Sequence, residues 1–182
     1  IAAAQSLLFE ALLAYDSDRA AALLAKMAER HPLASVVLDV IDPTLAAIGD
    51  TWAAGDAGVA TEHFATNFLR HHLLKLMQAA PAPYAVAPIV LACAPEELHE
   101  GGLLMLGVLL RQMRWPVVYL GQSLPLADIA TLVQRVQPAM IVFAALSEAT
   151  ALALADWPQS FAQSDEKAAE RTPIIGYGGR AF

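Results

Sequence analysis

The chain holds one cysteine, Cys93, in 182 residues, so it can form no internal disulfide, and that economy suits a reducing, cytoplasmic compartment. Cys93 itself reads as a small buried apolar residue. Charge is scarce too: charged residues make up 16% of the chain against 57% apolar, and 11 Lys and Arg face 18 Asp and Glu for a net charge of −7. A duplex-binding surface needs clustered basic residues, so no nucleic-acid partner is expected through this segment. The densest basic stretch, Arg111 to Arg114, is interrupted by Gln112 and Met113 and reads as a helix end. No apolar run reaches the roughly 18–20 residues that cross a bilayer, so no membrane partner is expected either. The start, Ile1-Ala2-Ala3-Ala4, lacks both a Met and the basic region of a secretory leader, which predicts an internal segment of a longer chain. There is no Ser/His/Asp nucleophile set, no paired carboxylate motif and no Cys-rich metal site, so the chain is read as a non-enzyme. What remains is an unusually apolar chain, long enough to bury a sizeable core and with much surface to bury or to cover with a ligand.

The chain divides at its prolines. Pro81, Pro83 and Pro88 fall close together and mark 81–88 as a linker between a helical domain over 1–80 and a second domain over 89–182. Before the linker, Leu7, Leu8, Ala11, Leu12 and Tyr15 give the apolar face of a helix from Ala2 to Tyr15. Ser17 is a suitable N-cap for a second helix through Arg30, ended by His31-Pro32. A third runs from Ser35 to Trp52 with Pro43 kinking or restarting it, and a fourth from Thr61 to Ala80. Short connections between four helices predict an up-down bundle. After the linker the period changes. Apolar strands at Ile89 to Cys93, Val117 to Leu120, Met140 to Ala145 and Ile174 to Tyr177 alternate with helices at Leu103 to Met113, Leu126 to Val136 and within Glu148 to Ala169. That alternation means a parallel sheet covered on both faces. The predicted class is therefore α + α/β: a four-helix bundle followed by a flavodoxin- or Rossmann-like domain.

Ligands of such sheets sit above the carboxyl ends of the strands. Those ends carry Glu97-Leu98-His99-Glu100-Gly101-Gly102, then Gly121-Gln122-Ser123-Leu124, then Ala144-Ala145-Leu146-Ser147-Glu148, then Gly178-Gly179. The hexad E-x-H-x-x-G offers a neutral imidazole to a metal, and its glycines admit close backbone approach. In the helical half, Trp52 is followed after nine intervening residues by Glu62-His63. Each feature has a plain structural reading. His99 suits any polar loop, Trp52 core packing, Glu62 a first-turn acid facing its helix dipole, and Ser147 an N-cap. His71-His72 suit a helix surface or a subunit contact, since neighbours on a helix point about 100° apart.

Taken together, these motifs resemble the cobalamin-binding, light-sensing region of the CarH-like photoreceptors within the MerR-type regulators, and the resemblance spans essentially the whole chain. It implies that His99 is the lower axial ligand of cobalt, with Glu97 in support and Gly102 completing the loop. It implies a groove for the nucleotide tail along Ser123, Leu124, Ala144, Leu146, Ser147, Gly178 and Gly179. It further implies that Trp52, Glu62 and His63 cap the upper face of adenosylcobalamin. In that family light breaks the cobalt–carbon bond and the oligomer changes, so a homo-oligomer, a dimer or tetramer, is expected, with DNA bound only through a helix-turn-helix domain outside this sequence.

The sequence departs from the family pattern in three places. Ala53 stands where the best-known members have a histidine after the motif tryptophan, which leaves water, His63 or a larger upper ligand such as a bilin as the alternatives there. Ala144 stands where the tail groove has serine, unless Ser147 serves. Between Leu146 and Gly178 lie 31 residues, more than is usual, with Gln159 to Arg171 as the expected surface insertion. Competing functions are a corrinoid carrier for methyl transfer and a flavodoxin-like module for another cofactor.

Overall fold

The structure, a computed structural model, describes residues 1–155 and 173–182, so the expected insertion at Gln159 to Arg171 and the end of the helix sought within Glu148 to Ala169 lie outside the described residues. The chain splits into two compact units, Ile1–Ala79 and Ala80–Phe182.

The first unit is helical: α1 (Ala2–Leu13), α2 (Ser17–Arg30), α3 (Leu33–Val36), α4 (Asp42–Ala53) and α5 (Val59–Ala79). Leu8 and Leu12 of α1, Leu24 of α2, Ile48 of α4, and Leu69 and Leu73 of α5 are all buried. The cap of α2 corrects the sequence expectation. Asp16, not Ser17, is the N-cap, and its side chain accepts from the Arg19 N–H at 2.9 Å. The chain turns one residue earlier than Ser17 requires, because Tyr15 takes a left-handed φ of 57° and ends α1. The expected effect of Pro43 takes the form of a π turn over Val37–Ile41, which joins α3 to α4 without a break. Proline has no N–H to donate and its ring crowds the carbonyl four residues back, and a widened turn relieves both problems. At the same place the buried Thr44 hydroxyl donates to the Val40 carbonyl at 2.6 Å.

The second unit is a four-stranded, all-parallel sheet in the order β2-β1-β3-β4. The strands are β1 (Ile89–Cys93), β2 (Val117–Gly121), β3 (Met140–Ala144) and β4 (Ile174–Gly178), joined by α6 (Gly101–Gln112), a 3-10 turn leading into α7 (Ile129–Val136), and α8 (Glu148–Leu152). β1 is buried along its whole length, as its unbroken apolar run requires. Its alternate residues feed two cores: Val90 and Ala92 pack with Ile129, Val133 and Phe143, while Leu91 and Cys93 pack with Leu103. Because β2 and β3 flank β1 on opposite sides, the chain order reverses there, and the loops after β1 and β3 open beside one another at the carboxyl rim.

The proline segment is pinned rather than slack. Arg111 donates to the Pro81 carbonyl at 3.2 Å and Arg114 Nε to that of Ala82 at 3.0 Å. The Arg114 guanidinium lies 4.5 Å from the centre of the Tyr84 ring. Replacing Arg114 by Ala should speed amide exchange across 82–84 by hydrogen-exchange mass spectrometry, with unfolding free energy lowered by no more than about 1 kcal/mol.

Candidate functional site: the carboxylate–imidazole loop

The loop after β1 is folded around one carboxylate. Glu97 is only 2% exposed, yet the His99 side chain beside it is 73% exposed. Glu97 Oε1 accepts from the His99 backbone N–H at 2.9 Å and from His99 Nδ1 at 2.7 Å. Oε2 accepts from the Leu146 N–H at 2.7 Å and from Thr150 Oγ1 at 2.8 Å. Burial alone pushes the carboxyl up, but the N–H bonds from Leu146 and His99, with the His99 ring and the Thr150 hydroxyl, outweigh it and bring the pKa down to about 2. The carboxylate thus stays ionised and takes its hydrogen from His99 Nδ1, which leaves Nε2 as the uncommitted ring nitrogen of an exposed side chain.

Two further elements hold this loop. Ser123, with φ 49°, donates its N–H to the Glu97 carbonyl at 3.0 Å, and its hydroxyl accepts from the Glu96 N–H at 3.0 Å. Leu124 N–H donates to the Cys93 carbonyl at 3.2 Å and Gln122 Nε2 to the Leu98 carbonyl at 2.6 Å. On the other side of His99, the buried Glu100 accepts from the Tyr119 hydroxyl. A Cβ on Gly121, whose φ is 79°, would come within 3.3 Å of that carboxylate. The thiol of Cys93 is pushed up to about 12, first by burial and then by the charges of Glu100 and Glu97, which leaves it inert.

The rim therefore gathers Glu97, His99, Leu146 and Ser147, with Ser123 and Leu124 as braces of the loop. Leu146 is exposed. Ser147 is the N-cap of α8 and forms a capping box with Thr150. Ala144 faces the apolar core rather than the rim. Gly179 is required by packing: its φ is 119°, and a Cβ there would fall 1.9 Å from the Ala145 carbonyl oxygen. Gly102 and Gly178 border open space, with no atom within 4 Å of an added Cβ, which is room a ligand can use. Thr150 was not anticipated. The Ser147-to-Thr150 spacing signals a helix cap, but nothing in it signals a bond to a residue 53 positions earlier.

In the helical unit, Trp52 lies half-exposed at the end of α4, and Glu62 and His63 open α5. His63 Nδ1 pairs with Glu62 Oε2 at 2.6 Å, and Thr66 Oγ1 donates to Glu62 Oε1 at 2.8 Å. His63 also lines a groove of about 560 Å³ with Phe64, Phe68, His71, His72 and Lys75. His72, expected on a helix surface or at a subunit contact, lines this groove, where burial first and Lys75 second lower its pKa. Among the described residues no three His, Cys, Asp or Glu side chains gather to hold a bare metal ion.

The fold and the family matches together mark a cobalamin-binding domain. Residues 5–76 match the B12 binding domain family. The chain is 35% identical over 125 residues to the HTH-type transcriptional repressor CarH of Myxococcus xanthus and 38% identical over 128 residues to CarA of the same organism. These alignments cover 69% and 67% of this chain, but the chain spans only 42% of either relative. Its fold is similar to that of the Methanosarcina barkeri monomethylamine corrinoid protein, with TM-score 0.67 at 14% identity, covering 96% of this chain and 91% of that one. The chain is a CarH-like cobalamin-binding region. Among the described residues no helix is long and apolar enough to cross a membrane.

The low pKa of Glu97 has a defined sign in stability. Its folded value of about 2 lies below the ordinary 4.5, so its contribution is complete above 4.5 and is lost as pH falls towards 2. Glu97→Gln should cost on the order of 2–3 kcal/mol at pH 7 and flatten that acid-range loss in urea unfolding followed as a function of pH.

Proposed function

We propose that this chain is the sensory half of a CarH-like regulator, binding adenosylcobalamin as a cytoplasmic light sensor and not as an enzyme. The observation that carries the reading is the Glu97–His99 pair, with a buried carboxylate fixing the tautomer and an exposed Nε2. In this reading His99 Nε2 would be the lower ligand of cobalt, and Leu146, Ser147, Gly178 and the open side of Gly102 would border the nucleotide tail, with Ser123, Leu124 and Gly179 shaping its walls. The helical unit acts as a four-helix-bundle cap, where Trp52 gives an aromatic wall and the paired Glu62 and His63 give polar partners for an adenosyl group. Adenosylcobalamin supplies a light-labile cobalt–carbon bond. Loss of the adenosyl group would remove what the cap residues pack against and would bias a two-state rearrangement of a homo-oligomer, dimer or tetramer. Repression of DNA then belongs to a helix-turn-helix domain elsewhere in the protein.

The groove on α5 favours a second occupant. From His63 to Lys75 the helix rises about 18 Å, longer than an adenosyl group needs, and its wall combines Phe64 and Phe68 with His71, His72 and Lys75. That lining suits an elongated conjugated acid, such as a bilin, as an additional chromophore beside cobalamin.

The deciding measurement is the absorption spectrum of protein loaded in the dark with adenosylcobalamin, before and after green light, beside His99→Ala. Expected are a corrin spectrum whose axial ligation is lost in His99→Ala, a spectral change on illumination, and a changed elution volume in size exclusion. A bound corrin that responds to light only as the free cofactor does would instead favour a corrinoid carrier for methyl transfer. Addition of biliverdin should produce a far-red band, and Lys75→Ala should weaken its binding several-fold if the α5 groove holds the acid groups.

A further inference from the structure

We propose that Tyr15 is a positioning residue for the Glu62–His63 pair, clamping the start of α5 onto the bend between α1 and α2. The proposal rests on that pair meeting the upper ligand, as in the reading above. Tyr15 sits where a side chain is least welcome. The Asp16 N–H donates to the Ala11 carbonyl at 2.9 Å and the Tyr15 N–H to that of Leu12 at 3.1 Å, the two bonds of a Schellman ending. The residue just past the cap of such an ending is left-handed, and glycine is its usual occupant because a Cβ is strained there. Tyr15 holds φ 57° with a bulky aromatic side chain, and strain kept at such a position points to what the side chain does.

That side chain reaches α5, 46 residues on. Tyr15 Oη lies 2.7 Å from Thr61 Oγ1, and its ring centre lies 5.0 Å from that of Phe64. Thr61 and Phe64 flank Glu62 and His63 directly in sequence, so the hydrogen bond and the ring contact bracket the pair.

The start of α5 depends on such a hold. Its first buried residue is Ala65, and Val59, Ala60 and His63 are exposed, so this part of the helix has little core packing of its own. The connection before it, Gly55 to Gly58, has glycine at both ends and adds little stiffness. Within α5 the pair is already oriented: His63 Nδ1 lies 2.6 Å from Glu62 Oε2, and Thr66 Oγ1 donates to Glu62 Oε1 at 2.8 Å. Bonds inside one helix cannot set where that helix start stands against the rest of the helical unit. Tyr15 sets it.

Three variants of the chain separate positioning from general support. Tyr15→Gly removes the side chain and gives the left-handed position the residue that suits it, so the bend between α1 and α2 keeps its form. Tyr15→Phe and Thr61→Val each remove one half of the hydroxyl bond. In cofactor-free protein, amides over 61–65 should exchange several-fold faster in Tyr15→Gly while those over 69–77 stay unchanged. The second readout, taken in the dark, is the affinity for adenosylcobalamin relative to hydroxocobalamin, which lacks the adenosyl group. That ratio should fall roughly tenfold in Tyr15→Gly and about threefold in Tyr15→Phe or Thr61→Val. The hydroxocobalamin dissociation constant should stay within about twofold of wild type, and the two hydroxyl changes combined should lose no more than either alone. Unchanged exchange over 61–65, an unchanged ratio, or equal weakening of both corrinoids in Tyr15→Gly would overturn the proposal, the last because it marks a merely structural role. Should wild type bind no corrinoid, or bind both alike, the adenosyl reading of Glu62 and His63 fails, and exchange over 61–65 alone decides whether Tyr15 clamps α5.

Discussion

Glu97 is a carboxylate taken almost wholly out of water at the end of a buried strand, and that costs several kcal/mol unless its lone pairs are met. The rim of the sheet is arranged to meet them. Backbone N–H groups come from two loops that the strand order places side by side, a hydroxyl comes from the start of α8, and the remaining donor is the imidazole. The consequence for chemistry is that His99 can stand exposed yet not swing freely. A loop that is solvated at its tip and anchored in the core at its base is preorganised.

The same logic explains why the loop tolerates local strain. Glu96 and Ser123 both take left-handed φ values, 63° and 49°, at positions without glycine. Their conformations are held by mutual bonds, Glu96 N–H to the Ser123 hydroxyl and Ser123 N–H to the Glu97 carbonyl. Residues in such regions persist where surrounding contacts over-determine them, and here those contacts tie the ends of β1 and β2 together. Glycine is kept where backbone or carboxylate comes closest, at Gly121 beside Glu100 and at Gly179 beside Ala145.

The helical unit is organised differently. Its apolar rows pack inward while α5 keeps Phe64 and Phe68 only partly covered, next to His63, His71 and Lys75. In a chain with 11 Lys and Arg against 18 Asp and Glu, a groove whose ionisable lining is entirely basic is a local exception to the overall charge.

Much of this was legible in the sequence for simple reasons. An unbroken apolar run bounded by turn residues and period-3.6 patterns both state burial directly, so the strand at Ile89–Cys93 and the long helices could be read within a residue or two. The hexad with Glu97 two residues before His99 is a local spacing, and a bond between side chains so close in sequence is nearly dictated by reach. Ends and caps were less legible, as Asp16 in place of Ser17 shows, because both residue types cap well and the choice depends on where the preceding turn closes. The sequence by itself determined the element order, the parallel sheet, and the identity of the imidazole and its partner acid. Only the tertiary structure decided what holds that acid, because the Leu146 N–H and Thr150 hydroxyl are brought to Glu97 by the β1–β3 pairing across some fifty residues, and no local pattern encodes which donors a strand crossover will place together.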